Sequence, residues 1–263
     1  MAKMEGVTMA KTDWNPDSYS QFRGLRLRPA LDLLMQVGAL PQGEVLDLGC
    51  GDGAAAGALK QRYPKHRLTG LDASPAMLAK ARGYDRLIEA DAGNWQPEAP
   101  PALIFSNAAL HWLPDHGWLM PRLAGFLAPG GVLAVQMPRQ YFAPSHRFLR
   151  DIAAALFADR FETGTFEAPV QTAIQYWQML SPFGQVDAWE TEYMQHLGPA
   201  EGMHPVRAFT QSTAMRPYVE RLTETEREAF VSAYDKALSS AYPVLPDGSA
   251  LLPFRRVYFV LKV

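Results

Sequence analysis

One stretch constrains the fold of this chain more than any other: Val45-Leu46-Asp47-Leu48-Gly49-Cys50-Gly51-Asp52-Gly53, followed by Ala54-Ala55-Ala56. A short apolar run ends on three glycines at alternate positions and passes directly into a helix-forming segment. Such a run reads as a strand whose tip turns sharply into a helix, where glycine lets the backbone bend and approach a ligand with no Cβ in the way. The chain is thereby directed towards an α/β sheet that holds a ligand at the carboxyl ends of its strands. Gly49, Gly51 and Ala54 also fit the dinucleotide pattern of nicotinamide-dependent dehydrogenases, so this loop alone leaves the ligand open.

From Glu44 to Val135 short apolar runs alternate with helical segments, the signature of strand-helix-strand units and a parallel sheet. Strands are expected at Glu44 to Leu48, Arg67 to Leu71, Arg86 to Ala90, Pro101 to Ser106 and Gly131 to Met137. Ser74-Pro75 supplies an N-cap hydroxyl and a first-turn proline, and Pro129-Gly130-Gly131 turns the chain into the fifth strand. Ahead of the sheet, Leu27, Ala30, Leu31 and Leu34 recur at helical spacing, with Pro29 near the start of that helix. Beyond Pro138, helical stretches at Ser145 to Arg160 and Val170 to Leu180 precede an extended run from Gln185 to Leu197. A second helical insert opens its last helix on the capping box Thr223-Glu224-Thr225-Glu226 and leads to a final strand containing Tyr258, Val260 and Val263. The expected organisation is one domain over residues 13–263 behind a flexible extension at 1–12. Its cofactor core spans about 40–138 and its helical cap about 139–182 and 202–245.

A net charge of −2 over 263 residues provides no positive field for a phosphate backbone. Ser106-Asn107-Ala108-Ala109 also lacks the Pro-Pro-aromatic turn that holds a flipped base, so no nucleic-acid partner is expected. The one cysteine, Cys50, has no thiol partner, and the six histidines show no ligand-like spacing; no metal is expected. The first dozen residues lack the apolar stretch of a secretory signal, and no run of about 18 apolar residues suggests a membrane helix. A cytoplasmic protein without a membrane partner is expected, a monomer or at most a homodimer.

Acidic and polar residues stand at the tips of successive strands. Asp47 lies two positions before the first glycine, where a carboxylate receives an ammonium group and repels a pyrophosphate; its other use is to hydrogen-bond the loop backbone. Asp72 ends the second strand about 20 residues after the loop, where an acid accepts ribose hydroxyls. Asp91-Ala92 follows the third strand, in reach of an adenine amino group, and Ser106-Asn107-Ala108 follows the fourth, beneath the sulfonium of the cofactor that this charge pattern favours.

The Asp47 to Gly53 loop, Asp72, Asp91 and Pro129-Gly130-Gly131 resemble the seven-stranded class of S-adenosylmethionine-dependent methyltransferases. More narrowly, Asp13-Trp14-Asn15-Pro16, Arg28-Pro29-Ala30, Ser74-Pro75-Ala76-Met77, Asn94-Trp95-Gln96-Pro97, Leu113-Pro114-Asp115-His116 and the Gly131 to Pro138 strand are similar to the trans-aconitate 2-methyltransferase family. The resemblance runs over nearly the whole chain after residue 12. It implies a Rossmann-like, seven-stranded, mostly parallel sheet whose last strand is antiparallel, with helices on both faces and a helical cap from the C-terminal insertions. It also implies S-adenosyl-L-methionine as cofactor, S-adenosyl-L-homocysteine as product, and a methyl ester formed on a small carboxylic acid. The expected cofactor residues are Asp47, Gly49, Gly51, Gly53, Asp72, Ala73, Met77, Asp91, Ala92, Asn107, Ala108 and Arg28. The chain departs from the family pattern at Arg139-Gln140, in place of an acid and an asparagine, and at Arg255, in place of a proline before Arg256; both add positive charge.

A carboxylate acceptor is ionised at neutral pH, its ordinary pKa being about 4, so no general base is required. Holding several carboxylates calls for arginine, whose planar fork binds them in a bidentate manner. Arg216 and Arg256 are the first candidates, with Arg28, Arg139 and Arg147 behind them; any of these could equally be a solvated surface charge. His111 and Trp112 are placed to orient an acceptor oxygen and exclude water, or simply to pack; Trp14, Tyr19 and Phe22 could form a lid, or a core cluster. Competing functions are methylation of another small metabolite or of a malonyl-carrier thioester, a nicotinamide-dependent dehydrogenase, and a non-catalytic cofactor-binding module.

Overall fold

In the computed structural model, which describes residues 23–161 and 168–263, the expected rhythm forms a single seven-stranded sheet in the order β3-β2-β1-β4-β5-β7-β6. The strands are β1 (Val45–Leu48), β2 (Leu68–Asp72), β3 (Arg86–Glu89), β4 (Leu103–Asn107), β5 (Val132–Pro138), β6 (Gln185–Leu197) and β7 (Ala250–Lys262). The first five pair in parallel, and β7 runs antiparallel between β5 and β6. All five central strands and the Gln185 to Leu197 run fall within two residues of their expected bounds. Tyr258 and Val260 lie in β7, and Val263 directly follows it.

The helices are α1 (Arg23–Met35), α2 (Ala56–Arg62), α3 (Pro75–Leu78), α4 (His116–Gly125), α5 (Pro144–Leu156), α6 (Ala173–Leu180), α7 (Pro205–Thr210), α8 (Arg216–Val219) and α9 (Glu224–Ala241). Ser74 caps α3, its Oγ accepting from Met77 N at 3.3 Å, with Pro75 in the first turn. Glu226 reaches back to Thr223 N at 2.9 Å to open α9. In α1, Pro29 lies inside the helix; Ala30, Leu33 and Leu34 are buried, as is Val37 just beyond the helix end, while Leu31 is exposed.

Strand alternation splits the apolar residues between two faces. Leu46, Leu48, Ile104, Leu133, Val135, Val257 and Phe259 pack with α4 and with Tyr176 and Leu180 of α6. Val45, Leu68, Leu103, Phe105, Val132 and Tyr258 pack with α1 and α2. A third core joins α5, α7 and α9 around Leu149, Phe209, Phe230, Tyr234 and Leu252. Within the insert at 139–182, α5 therefore builds the cap, whereas α6 covers the sheet.

The cap core is anchored to the sheet by the length of β6 and β7. Partnering between β5 and β7 ends at Pro138 and Arg256, yet β7 and β6 stay paired through Ala250 and Leu197. Thirteen residues at about 3.3 Å each make an antiparallel ribbon about 43 Å long. Its far half, Ala250 to Arg255, leaves the sheet and floors the cap. Arg256 stands at the junction.

Candidate active site

The order of strands reverses across β1 and β4, so the connections leaving those strands diverge and open a crevice at their carboxyl ends. A cavity of about 250 Å³ fills it, lined by Gly49, Cys50 and Gly51 after β1, Asp72 and Ala73 after β2, Asp91 and Ala92 after β3, and Asn107 and Ala108 after β4. Met77 of α3, Leu27 and Ala30 of α1 and Trp112 close its sides. The loop turns as its glycines demand: Gly49 has φ +76°, and a Cβ there would overlap that of Ala109. Gly49 N and Cys50 N both donate to Leu71 O, at 2.7 and 2.9 Å, tying the loop to β2.

The acids at the tips of β2 and β3 are anchored by donors from their own loops. Asp72 accepts from Gly51 N at 2.8 Å and from Ser74 N at 2.9 Å, which fixes its plane while it lines the cavity. Asp91 accepts from Gly93 N and from Asn94 Nδ2, both at 2.9 Å. Asn107 Oδ1 is buried with no hydrogen-bond partner among the described residues, in a side chain that lines the cavity, and so offers an acceptor to a ligand. Ala108 adopts φ +53°, a left-handed conformation that costs a non-glycine residue about 1–2 kcal/mol, and its N–H is held by Gln136 O at 2.9 Å. Two anchored acids and an unpartnered amide oxygen thus line one cavity.

Asp47 is placed differently from the other acids. It is 2% exposed, on the α1/α2 side of β1, beneath the loop and outside the cavity lining, and its Oδ2 accepts from the Tyr84 phenol at 2.6 Å. Burial raises its pKa to about 7; the Tyr84 hydrogen bond opposes the rise, and the nearby Asp72 charge adds to it. Two acids under one turn make it a poor seat for a pyrophosphate and a favourable one for a cation. Gly53, too, lies outside the cavity lining.

A second cavity, about 380 Å³, lies under the cap and shares Ala108 and Trp112 with the first. Three arginines line it: Arg139 after β5, Arg150 of α5 and Arg256 of β7. Arg256 is 3% exposed, donates to Gln136 Oε1 at 3.2 Å and lies 4.7 Å from the Phe254 ring centroid. Arg139 pairs with Glu190 at 3.4 Å, and Arg150 stacks 3.7 Å from the centroid of Tyr141. Gln136 serves both cavities, its carbonyl holding Ala108 and its side chain holding Arg256.

His111 and His146 also line the second cavity, and both are kept neutral at physiological pH. Burial lowers the His111 pKa to about 3, helped by the Arg256 charge, and lowers that of His146 to about 4, helped by Arg150. His111 Nδ1 is buried with no partner among the described residues. The turn carrying His111 and Trp112 is held from behind by His116. Its Nε2 donates to Leu110 O at 2.9 Å, because a carbonyl can only accept, and its Nδ1 takes the Tyr176 hydroxyl at 2.5 Å.

Several expected residues stand elsewhere. Arg28 lies outside both cavity linings, 3.7 Å from Asp32 and 5.3 Å from the Tyr193 ring centroid. Arg147 pairs with Asp151, and Arg216 with Glu220, both one helical turn away and outside the linings. Helical geometry separates Arg147 from Arg150. The buried stripe of α5 is Ser145, Leu149 and Ala153, so His146 and Arg150 flank it, whereas Arg147 falls about 160° from its centre. Trp14, Tyr19 and Phe22 lie outside the described residues. Arg150, His146, Gln136, Tyr84 and Arg122 were not among the expected site residues. For the two on α5 that same stripe is the available signal.

The sequence model of a methyltransferase domain matches residues 45–131. The trans-aconitate 2-methyltransferase of Methylobacterium radiotolerans is 41% identical over 259 residues, covering 95% of this chain and 98% of the relative. That of Escherichia coli O1:K1 is 41% identical over 256 residues, with the same coverage of each chain. Among solved structures, the YcgJ protein of Bacillus subtilis has a TM-score of 0.53 at 15% identity, covering 92% of this chain and 98% of its own. A putative methyltransferase of Bacillus halodurans also has a TM-score of 0.53, at 16% identity, covering 89% and 98%. These two structures share the fold.

Proposed function

Because the chain belongs to the trans-aconitate 2-methyltransferase family, we propose that it transfers a methyl group from S-adenosylmethionine to a carboxylate of trans-aconitate, leaving a methyl ester and S-adenosylhomocysteine. The observation that carries this reading is the pair of cavities joined at Ala108 and Trp112, one walled by acids on strand tips and the other by three arginines. Cofactor, when bound, supplies a methyl carbon made electrophilic by the sulfonium charge. Asp72 takes the ribose hydroxyls, Asp91 and Ala92 the adenine, and Asn107 and Ala108 the sulfonium end, with Asp47 acting from beneath the loop on the ammonium group.

Acceptor geometry is the work of Arg256, Arg139 and Arg150, which hold the carboxylates not being methylated. Neutral His111 steers the reacting oxygen by hydrogen bonding and carries no proton away, since a carboxylate brings none. Trp112 shields the junction from water. With the cofactor bound, the methyl would pass to that oxygen and the bonding electron pair would stay on sulfur, so the chain's residues need only orient the acceptor and exclude water.

The test is incubation of the purified protein with methyl-labelled S-adenosylmethionine and a panel of mono-, di- and tricarboxylic acids. Base-labile label on trans-aconitate, with kcat/KM at least about tenfold above monocarboxylates, is the expected outcome. Label on none of the panel, or equal turnover of monocarboxylates, would refute the reading.

A further inference from the structure

Arg122 of α4 lies 27 to 29 residues from its hydrogen-bond partners, the three consecutive carbonyls of the loop after β3. Its Nη1 donates to Gly93 O at 3.0 Å and its Nη2 to Asn94 O and Trp95 O, at 3.2 and 2.6 Å. Residues 91–95 form a single turn in which Asp91 O accepts from Asn94 N and Trp95 N, at 3.0 and 2.9 Å. One turn leaves its last carbonyls without intraturn donors, as at the carboxyl end of any helix, and a cation there satisfies them and complements their dipoles. The guanidinium is in turn positioned between two rings, its carbon 4.9 Å from the centroids of both Trp118 and Phe126. Asp91 and Ala92 of the same turn line the first cavity.

We propose that Arg122 is a positioning residue for cofactor recognition: by clamping the carbonyls of Gly93, Asn94 and Trp95 it holds Asp91 and Ala92 in the conformation that receives the adenine ring. The inference rests on the reading of that loop as the adenine seat. No part of Arg122 lines either cavity, so its effect passes through the backbone of the turn. Planarity matters because one flat fork spans three carbonyls, which a lysine ammonium with three diverging donors does not match.

Arg122→Met keeps the apolar stem between the two rings and removes the fork. Its affinity is to be measured for S-adenosylhomocysteine and for methylthioadenosine, which shares the adenosine and lacks the amino-acid end. Both are expected to weaken by the same factor, about tenfold or more, because the damage is at the adenine end. Turnover at saturating cofactor and the KM for the acid should stay within about twofold, a split that general loosening of the fold does not produce. Arg122→Lys should fall between wild type and Arg122→Met, and it carries the test if the methionine variant does not fold. Asp91→Ala serves as the reference for the loop. Weaker methylthioadenosine binding in Asp91→Ala with wild-type binding in the Arg122 variants overturns the proposal and leaves the loop reading standing. Unchanged methylthioadenosine binding in Asp91→Ala removes the loop reading and the proposal with it.

Discussion

Replacing Tyr84 by Phe deletes the hydrogen bond that, among the described residues, steadies the Asp47 carboxylate beneath the glycine loop. Asp47 titrates at about 7 in the folded protein, so at pH 7.5 about three quarters of it is ionised. A hydrogen bond to a charged acceptor contributes about 1.5–3 kcal/mol, so its loss lowers the ratio of ionised to protonated Asp47 by about 10- to 150-fold. If the ionised acid is what attracts the cofactor ammonium, S-adenosylhomocysteine should bind Tyr84→Phe about 4- to 40-fold more weakly at pH 7.5. In wild type its affinity should rise with pH and level off above about 7, being about tenfold weaker at pH 6 than on the plateau. Titration calorimetry between pH 6 and 8 reads both effects. Methylthioadenosine, with no ammonium group, should bind with the same affinity throughout. A flat wild-type profile for S-adenosylhomocysteine, or the same profile in Tyr84→Phe, would refute the reasoning. The sign for folding is the reverse: a carboxyl whose folded pKa is raised holds a proton that the unfolded chain has released. The contribution of Asp47 to the ligand-free protein is therefore lost as pH climbs from the ordinary carboxylate range to about 7, and chemical denaturation of Asp47→Asn should show a shallower decline over that window.

Arg256→Met should raise the KM for the acid by at least about tenfold while leaving S-adenosylhomocysteine affinity within about twofold, as steady-state kinetics and calorimetry will show. Arg147→Ala and Arg216→Ala, whose partners are Asp151 and Glu220, should leave both constants within about twofold. Gly49→Ala forces a Cβ onto that of Ala109 at a positive φ, and should lower the thermal midpoint and abolish detectable cofactor binding. Because His111 is neutral until about pH 3, turnover at saturating substrates between pH 6 and 9 should show no inflection that disappears in His111→Gln.

What could be read from the chain divides according to the range of the forces involved. Strands β1 to β5 are short apolar runs punctuated by glycine and proline, and their acids fall at fixed distances from the loop, so Asp72, Asp91 and Asn107 were legible locally. Helix α1 is legible as a helix from the spacing of Leu27, Ala30, Leu31 and Leu34, but that spacing does not separate buried Leu33 from exposed Leu31, which only packing against the sheet decides. Arginines were the least legible. Arg150 could be told from Arg147 by the Ser145, Leu149 and Ala153 stripe, whereas Arg122 binds backbone oxygens, whose position no side-chain pattern records. Tyr84 lies 37 residues from Asp47, and only the β1-β2-β3 pairing brings them together.

The two-stranded ribbon that overruns the sheet carries two successive arginines to opposite fates. Arg255 reaches solvent and pairs with Glu192 at 3.5 Å, while Arg256 is sealed beneath the cap. Parity along a strand decides which side chain goes where, so sliding β7 by a single residue would exchange the two and expel the buried charge without altering composition. Insertions or deletions in the Pro253 to Val257 segment are thus barred to evolution and to the engineer alike, and the acid recognised can be changed more safely by substituting the cap helices than by adjusting the length of the strand that carries them.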